Sequence, residues 1–208
     1  MLVRYDYANA APTRSHLYLW PLIKGVIEAR PWPSRRAFDL GCGNGATCRA
    51  LMDEGFEAVG IDPSESGVAN ARRNGVRADV ASAYDDLSGY GAFPLVISLE
   101  VIAHCLDPRA FARTFLSLIA PGGVGLLSAP YHGYLKNVAL ALTGKMDDHF
   151  NPLWEGAQIK FFSIASLTRL LVEEGAGAVR FARVGRIPPL AKSMVAIVEK
   201  PRELTSLA

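Results

Sequence analysis

The 208-residue sequence predicts an α/β fold, a doubly wound and mostly parallel sheet with helices on both faces. Three observations carry that expectation. Half of the residues are hydrophobic, and a chain of this length buries roughly 70% of the surface its unfolded form exposes, so a core needs no metal or disulfide staple. From Arg35 onward, short β-type runs alternate with helical patterns bounded by capping and turn residues. A glycine cluster, Gly41 to Gly45, separates the first such strand from the first such helix.

The elements follow in order. Ala37 to Leu40 reads as a first strand and Ala46 to Glu54 as a helix stopped by Gly55. Ala58 to Ile61 is a second strand; Ser64 can cap the helix that runs to Asn74 before Gly75. Val76 to Val80 is a weak third strand, while the continuous apolar run Leu95 to Leu99 suits a central, doubly covered one. Asp107-Pro108 opens a helix that puts Phe111, Phe115, Leu118 and Ile119 on one face. Pro121-Gly122-Gly123 is expected to end it and turn into a fifth strand, Val124 to Ala129. A helix opened by Ser163 and Ser166 buries Leu167, Leu170 and Leu171, and Val179 to Val184 and Met194 to Glu199 close the sheet. Two stretches stand outside the alternation, within what reads as one domain over 1–208: an N-terminal lid segment, 1–34, and an insertion, 131–162.

Charge narrows the partners. Against 22 Lys and Arg stand 20 Asp and Glu, a net +2, a balance that argues against a protein whose main business is coating nucleic acid or anionic membrane and leaves room for a local basic patch. Cys42, Cys48 and Cys105 form no C-x-x-C pair and suggest a reducing compartment rather than a disulfide framework or a zinc site. The acid and two tyrosines among the first seven residues do not make a secretory signal. The best apolar run, Val138 to Leu142, is far short of the roughly 18 residues of a membrane span. A cytoplasmic protein is expected.

Asp39-Leu40-Gly41-Cys42-Gly43-Asn44-Gly45-Ala46, with Asp62 placed 21 residues after Gly41, meets the loose G-x-G-x-x-G/A nucleoside-binding pattern. By itself the pattern also fits a Rossmann-type NAD(P)-dependent oxidoreductase. Asp39 argues against that reading, because a carboxylate two residues before the first glycine would crowd an anionic diphosphate. The same carboxylate suits a ligand with an ammonium and a sulfonium.

With Gly60-Ile61-Asp62-Pro63-Ser64, Ala78-Asp79-Val80, Ser98-Leu99-Glu100-Val101 and Leu118-Ile119-Ala120-Pro121-Gly122-Gly123 following in order, the chain resembles the class I S-adenosylmethionine-dependent methyltransferases. The likeness is strongest to the small-molecule branch that includes the ubiquinone-biosynthesis O-methyltransferases, and it runs from about Phe38 to Ala129. It implies a Rossmann-like sheet with an antiparallel last strand, S-adenosyl-L-methionine as cofactor and S-adenosyl-L-homocysteine as product. It also implies roles. Asp39 and the backbone of Gly41, Cys42, Gly43 and Gly45 would hold the methionine part, Asp62 with Pro63 beside it the ribose, Asp79 and Val80 the adenine. Ser98 and Leu99 would line the methionine end near the departing methyl.

Two departures from family patterns matter. Metal-dependent relatives read Glu-x-x-Glu-His after the fourth strand; here Glu100-Val101-Ile102-Ala103-His104 lacks the second carboxylate, so no metal is expected. The Asn/Asp-Pro-Pro-aromatic motif of amino-group methyltransferases is also missing, which together with the charge balance argues against nucleic acid as substrate.

A small-molecule acceptor, methylated on a hydroxyl with a histidine as base, is the expectation, in a monomer or homodimer. The candidate bases are His104, which reads equally well as a structural histidine packed behind the loop, His132 and His149, and the insertion would act as a substrate cap through Tyr131, Tyr134, Asn137 and Trp154. A surface helix with aromatic anchors is the alternative for that insertion. Tyr5 or Tyr7 can touch the ligand from the N-terminal side, and the N-terminal aromatics can equally seal one end of the core or dock on a second subunit. A methyltransferase-like module that binds the cofactor without turnover is the non-enzymatic alternative.

Overall fold

The computed structural model describes residues 5–150, 153, 154 and 156–202. Its order is α1 (Arg14–Glu28), β1 (Arg36–Leu40), α2 (Ala46–Asp53), β2 (Glu57–Asp62), α3 (Glu65–Arg73), β3 (Arg77–Val80), β4 (Phe93–Ser98), α4 (Pro108–Leu118), β5 (Ile119–Pro130), α5 (Tyr134–Leu142), α6 (Met146–His149), α7 (Ile164–Glu173), β6 (Val179–Val184) and β7 (Ser193–Glu199). The seven strands form one sheet in the order β3-β2-β1-β4-β5-β7-β6. All neighbouring pairs from β3 to β5 are parallel, and β7 inserts antiparallel between β5 and β6.

Local chemistry sets the boundaries. Ser64 accepts the Gly67 N–H, Asp107 accepts from Arg109 and Ala110, and Ser163 with Ser166 forms a reciprocal capping box. Gly55 and Gly75 take positive φ where α2 and α3 stop. Every residue of β4 is buried, as its place in the middle of the sheet requires. Val96 faces the core side closed by Phe111 and Phe115 of α4 and Leu167 and Leu171 of α7; Leu95 and Ile97 face the side closed by α1, α2 and α3.

One boundary differs from the sequence expectation. The chain is already extended at Ile119, and Pro121-Gly122-Gly123 forms an irregularity inside β5, shifting the register between Phe93↔Ile119 and Leu95↔Val124. Glycine is needed there, since a Cβ on Gly123 would meet the carbonyls of Pro94 and Ala120 at 2.9 and 2.8 Å. The N-terminal segment is also more than a lid: Leu19, Ile23 and Ile27 of α1 are core residues.

Sheet order reverses between β1 and β4. Open α/β sheets bind ligands at the carboxyl ends of strands at such a point.

Candidate functional site

A cavity of about 470 Å³ opens there. Its floor is the turn after β1, Gly41 to Asn44, with Asp62 and Pro63 at the end of β2. The N–H groups of Gly41 and Cys42 both donate to the Ile61 carbonyl, at 2.9 and 2.8 Å, which ties the glycine turn to β2. Gly43, at φ +52°, donates its N–H to Asp62 Oδ2 at 2.9 Å, and Ser64 donates to Oδ1 at 2.8 Å. The Asp62 carboxylate is therefore fixed, with lone pairs to spare; burial raises its pKa from the usual carboxylate value.

A strap of residues 5–13 roofs this floor. Asn44 donates to the carbonyls of Asn9 and Ala11, both at 2.9 Å, Asn70 donates to Tyr7 O at 2.8 Å, Tyr7 N–H donates to Ser66, and Ser64 donates to Tyr5 O. The Tyr7 ring lies so close over Gly43 that a Cβ there would meet its hydroxyl at 2.5 Å. Burial, with Asp62 next in effect, pushes the Tyr7 hydroxyl well above its ordinary pKa and keeps it protonated. Opposite, Trp154 meets Tyr5 edge-on, ring centres 5.8 Å apart.

The far wall is Leu99, Glu100, Val101 and His104, following β4. Glu100 has φ +62°, the only non-glycine residue with positive φ among those described. A reciprocal pair of bonds holds it: its N–H donates to Ser128 Oγ at 2.8 Å and the Ser128 hydroxyl donates to its carboxylate at 2.7 Å. Burial raises its pKa above the ordinary glutamate value. His104 has Nδ1 3.2 Å from the Ala157 carbonyl, so Nδ1 carries the proton and Nε2 keeps a free lone pair. Burial lowers the His104 pKa, which favours this neutral form at pH 7.

Of the sequence-predicted residues, Gly41, Cys42, Gly43, Asp62, Pro63, Leu99, His104 and Trp154 line the cavity. Others stand elsewhere. Asp39 lies beneath the turn, buried, with the Cys48 thiol 3.6 Å away; its carboxyl is pushed up to about 7, chiefly by burial. Gly45 packs against Ala71 at the start of α2, and Ser98 spends its hydroxyl on Leu40 O at 2.6 Å. Asp79 is turned toward Arg72 (3.0 Å) and the Tyr90 hydroxyl (2.9 Å), and Val80 is half-exposed. The chain bends after β3, so Ala81 to Tyr84 form the wall expected of Asp79 and Val80. No residue type in that stretch signalled it.

The insertion is corrected more substantially. His132 and His149 pack with Phe150 and Phe161, ring centres 4.7–5.5 Å apart, rather than along the cavity. His132 Nε2 is 3.2 Å from Gln158 Oε1, and burial lowers its pKa. His149 has its Nε2 buried without a hydrogen-bond partner and a pKa pushed down to about 4, chiefly by burial. Tyr131 lies under Arg183 and Tyr134 is exposed on α5, while Asn137, also exposed, bonds through its side chain to His132. These groups are occupied by packing or water.

Ala103 is fully buried, and its carbonyl accepts both the Ile159 and Lys160 N–H groups at 2.9 Å. The insertion thus closes over the place where metal-dependent relatives carry their second carboxylate. Among the described residues no group of three His, Cys, Asp or Glu is arranged to hold a metal.

Residues 16–179 match a family model described as a methyltransferase domain. The ubiquinone biosynthesis O-methyltransferase of Methylocella silvestris is 33% identical over 148 residues, 68% of this chain and 57% of that protein. That of Caulobacter sp. (strain K31) is 31% identical over 121 residues, 55% of this chain and 48% of that protein. The chain spans about half the length of these curated relatives. Among solved structures, magnesium protoporphyrin IX methyltransferase from Synechocystis PCC 6803 with bound SAH aligns at a TM-score of 0.68 with 18% identity, covering 88% of this chain and 81% of that one. At that identity the likeness is one of fold.

Proposed function

Since the chain belongs to the methyltransferase-domain family, we propose that it is a class I S-adenosylmethionine-dependent methyltransferase acting on a hydroxyl of a small molecule. The observation that carries this reading is the state of the glycine turn. Its Gly43 N–H is already given to Asp62, and Tyr7 covers it. A dinucleotide diphosphate needs free N–H groups at this turn; a ribose diol and a cationic methionine end need carboxylates beside it. The oxygen-rich, carboxylate-bearing floor and the cavity volume fit S-adenosylmethionine in this respect.

Asp62 would accept from the ribose hydroxyls. Asp39, one layer down, would act on a cation through space. The bound cofactor supplies an electrophilic methyl group on a sulfonium. The protein's part is alignment, which supplies on the order of 7 to 11 kcal/mol for a well-oriented pair, together with removal of the acceptor's proton. His104 is assigned as base because, of the three candidate histidines, it alone reaches the cavity, with Nε2 unprotonated. His104 Nε2 would take the acceptor's hydroxyl proton as that oxygen is methylated, leaving the imidazole protonated.

The curated relatives support an oxygen as acceptor atom, and the free thiols fit a reducing, cytoplasmic setting. Thermal shift with S-adenosylhomocysteine against NAD(H) and NADP(H) tests the cofactor. Stabilisation by the dinucleotides alone would overturn the reading. Incubation with S-adenosylmethionine and a metabolite extract, read by mass for the gain of one methyl, separates an enzyme from a binding module. With an acceptor in hand, His104→Ala is expected to lower kcat by about 10² to 10⁴ while leaving S-adenosylhomocysteine affinity unchanged, and His132→Ala to alter stability rather than kcat.

A further inference from the structure

The cavity wall carries acids and no permanent cation. Among the described residues that line it, the carboxyl groups are those of Asp62 and Glu100, and no Lys or Arg reaches it. Its two histidines, His16 and His104, have pKa values lowered by burial, which favours their neutral forms. In the proposed function Asp62, with Asp39 beneath the turn, answers the cofactor's ribose and cationic methionine end. Glu100 stands on the far wall with no such partner.

Keeping Glu100 there is costly. A side chain at φ +62° strains the backbone, and a carboxyl in a buried wall gives up its hydration. Ser128 holds the residue by its N–H and by Oε1, and Ser193 of β7 adds a second hydroxyl to the carboxylate. Lys136 of α5 acts on it through space, and among the described residues no Lys or Arg forms an ion pair with it. Backbone strain of this kind clusters at ligand contacts, where the surroundings hold a side chain in a place that packing alone does not require.

Aromatic rings complete the lining. Trp154 and Tyr5 meet edge-on, and Tyr84 is a third ring on the cavity. They are 49%, 39% and 43% exposed, so ring surface is open to a ligand. Aromatic faces attract cations.

Resting on the methyltransferase reading, we propose that the acceptor is a cation: a small molecule whose hydroxyl meets His104 and whose ammonium group is held by Glu100, with the rings of Tyr5 and Trp154 beside it. An acceptor carrying a carboxylate or a phosphate would meet acids and neutral rings with no counter-charge. An uncharged one would leave the Glu100 carboxylate desolvated and unanswered.

The test titrates the full chain, saturated with S-adenosylhomocysteine, with three phenols of similar shape and different charge: tyramine, para-ethylphenol and para-hydroxyphenylpropionate. Calorimetry should show tyramine bound at least about tenfold more tightly than the neutral phenol, as a charge-assisted hydrogen bond provides, and the acid bound more weakly than either. Glu100→Gln should bring the ratio of tyramine to ethylphenol affinity close to one, in a chain whose S-adenosylhomocysteine thermal shift shows that it is folded. Should that variant not fold, the wild-type series decides alone. Equal affinities, a preference for the acid, no tyramine binding at millimolar concentration, or an undiminished ratio in folded Glu100→Gln would each overturn the proposal. A wild-type chain that prefers tyramine yet shows no thermal shift with S-adenosylhomocysteine fails the methyltransferase reading and leaves the cation site standing.

Discussion

Asp39 has almost no contact with water, and its carboxyl is pushed up from 3.8 to about 7. At low pH it is neutral in both folded and unfolded chains. Between 3.8 and about 7 the unfolded chain gives up the proton that the folded one keeps, so the stability of the ligand-free protein should fall as pH rises through this window and level off above it. The raised pKa of Asp62 acts in the same direction. Urea unfolding across the window should show the slope, on the order of a few kcal/mol in total, and Asp39→Asn should flatten most of it. Glu100 gives a second prediction at this scale. Its φ of +62° suits glycine, so Glu100→Ala should be less stable than Glu100→Gly by about 1 to 2 kcal/mol, since both lose the Ser128 bond to the carboxylate and both keep the one from the backbone N–H. Denaturant midpoints of the two variants make the comparison. Asp62 was legible in the sequence because acid, glycine turn and spacing recur together. That His104 lines the cavity with Nε2 free while His132 packs elsewhere was not legible, because the Ala157 carbonyl reaches Nδ1 from the insertion 53 positions away.

Elements repeat that division between local and distant causes. The starts of α3, α4 and α7 were readable because Ser64, Asp107 and Ser163 bond within their own first turns. Ile119 misled because it continues the apolar face of α4 and is equally suited to the strand it begins. The strap over the glycine turn carried no periodic signal, since its bonds go to side chains far along the chain. Asn44 alone holds two of its carbonyls. Asn44→Ala should therefore loosen the strap around residues 9–11, with Tyr5 and Tyr7 still held by Ser64, Ser66 and Asn70, giving faster limited proteolysis ahead of α1 and weaker S-adenosylhomocysteine binding by about 1 to 3 kcal/mol, readable by calorimetry, while α2 and the sheet stay intact.

For the whole molecule, the doubly wound sheet was legible from the alternation, and the antiparallel β7 from the family likeness; that α5 buries Lys136 and exposes Leu135 and Leu142 was not, because the run from Val138 to Leu142 reads equally well as core. Cofactor product bound across strap, turn and wall should stabilise the fold as a unit. At about 100 times its Kd, S-adenosylhomocysteine should add about 2.7 kcal/mol, raising the unfolding midpoint by about 5 to 10 °C in a concentration-dependent way that Asp62→Ala diminishes. The meeting of Tyr5 with Trp154 bears on time rather than energy. On the proposed function, a spent nucleoside beneath that contact would leave only after two distant stretches of chain have parted, and a first turnover should then run ahead of those that follow.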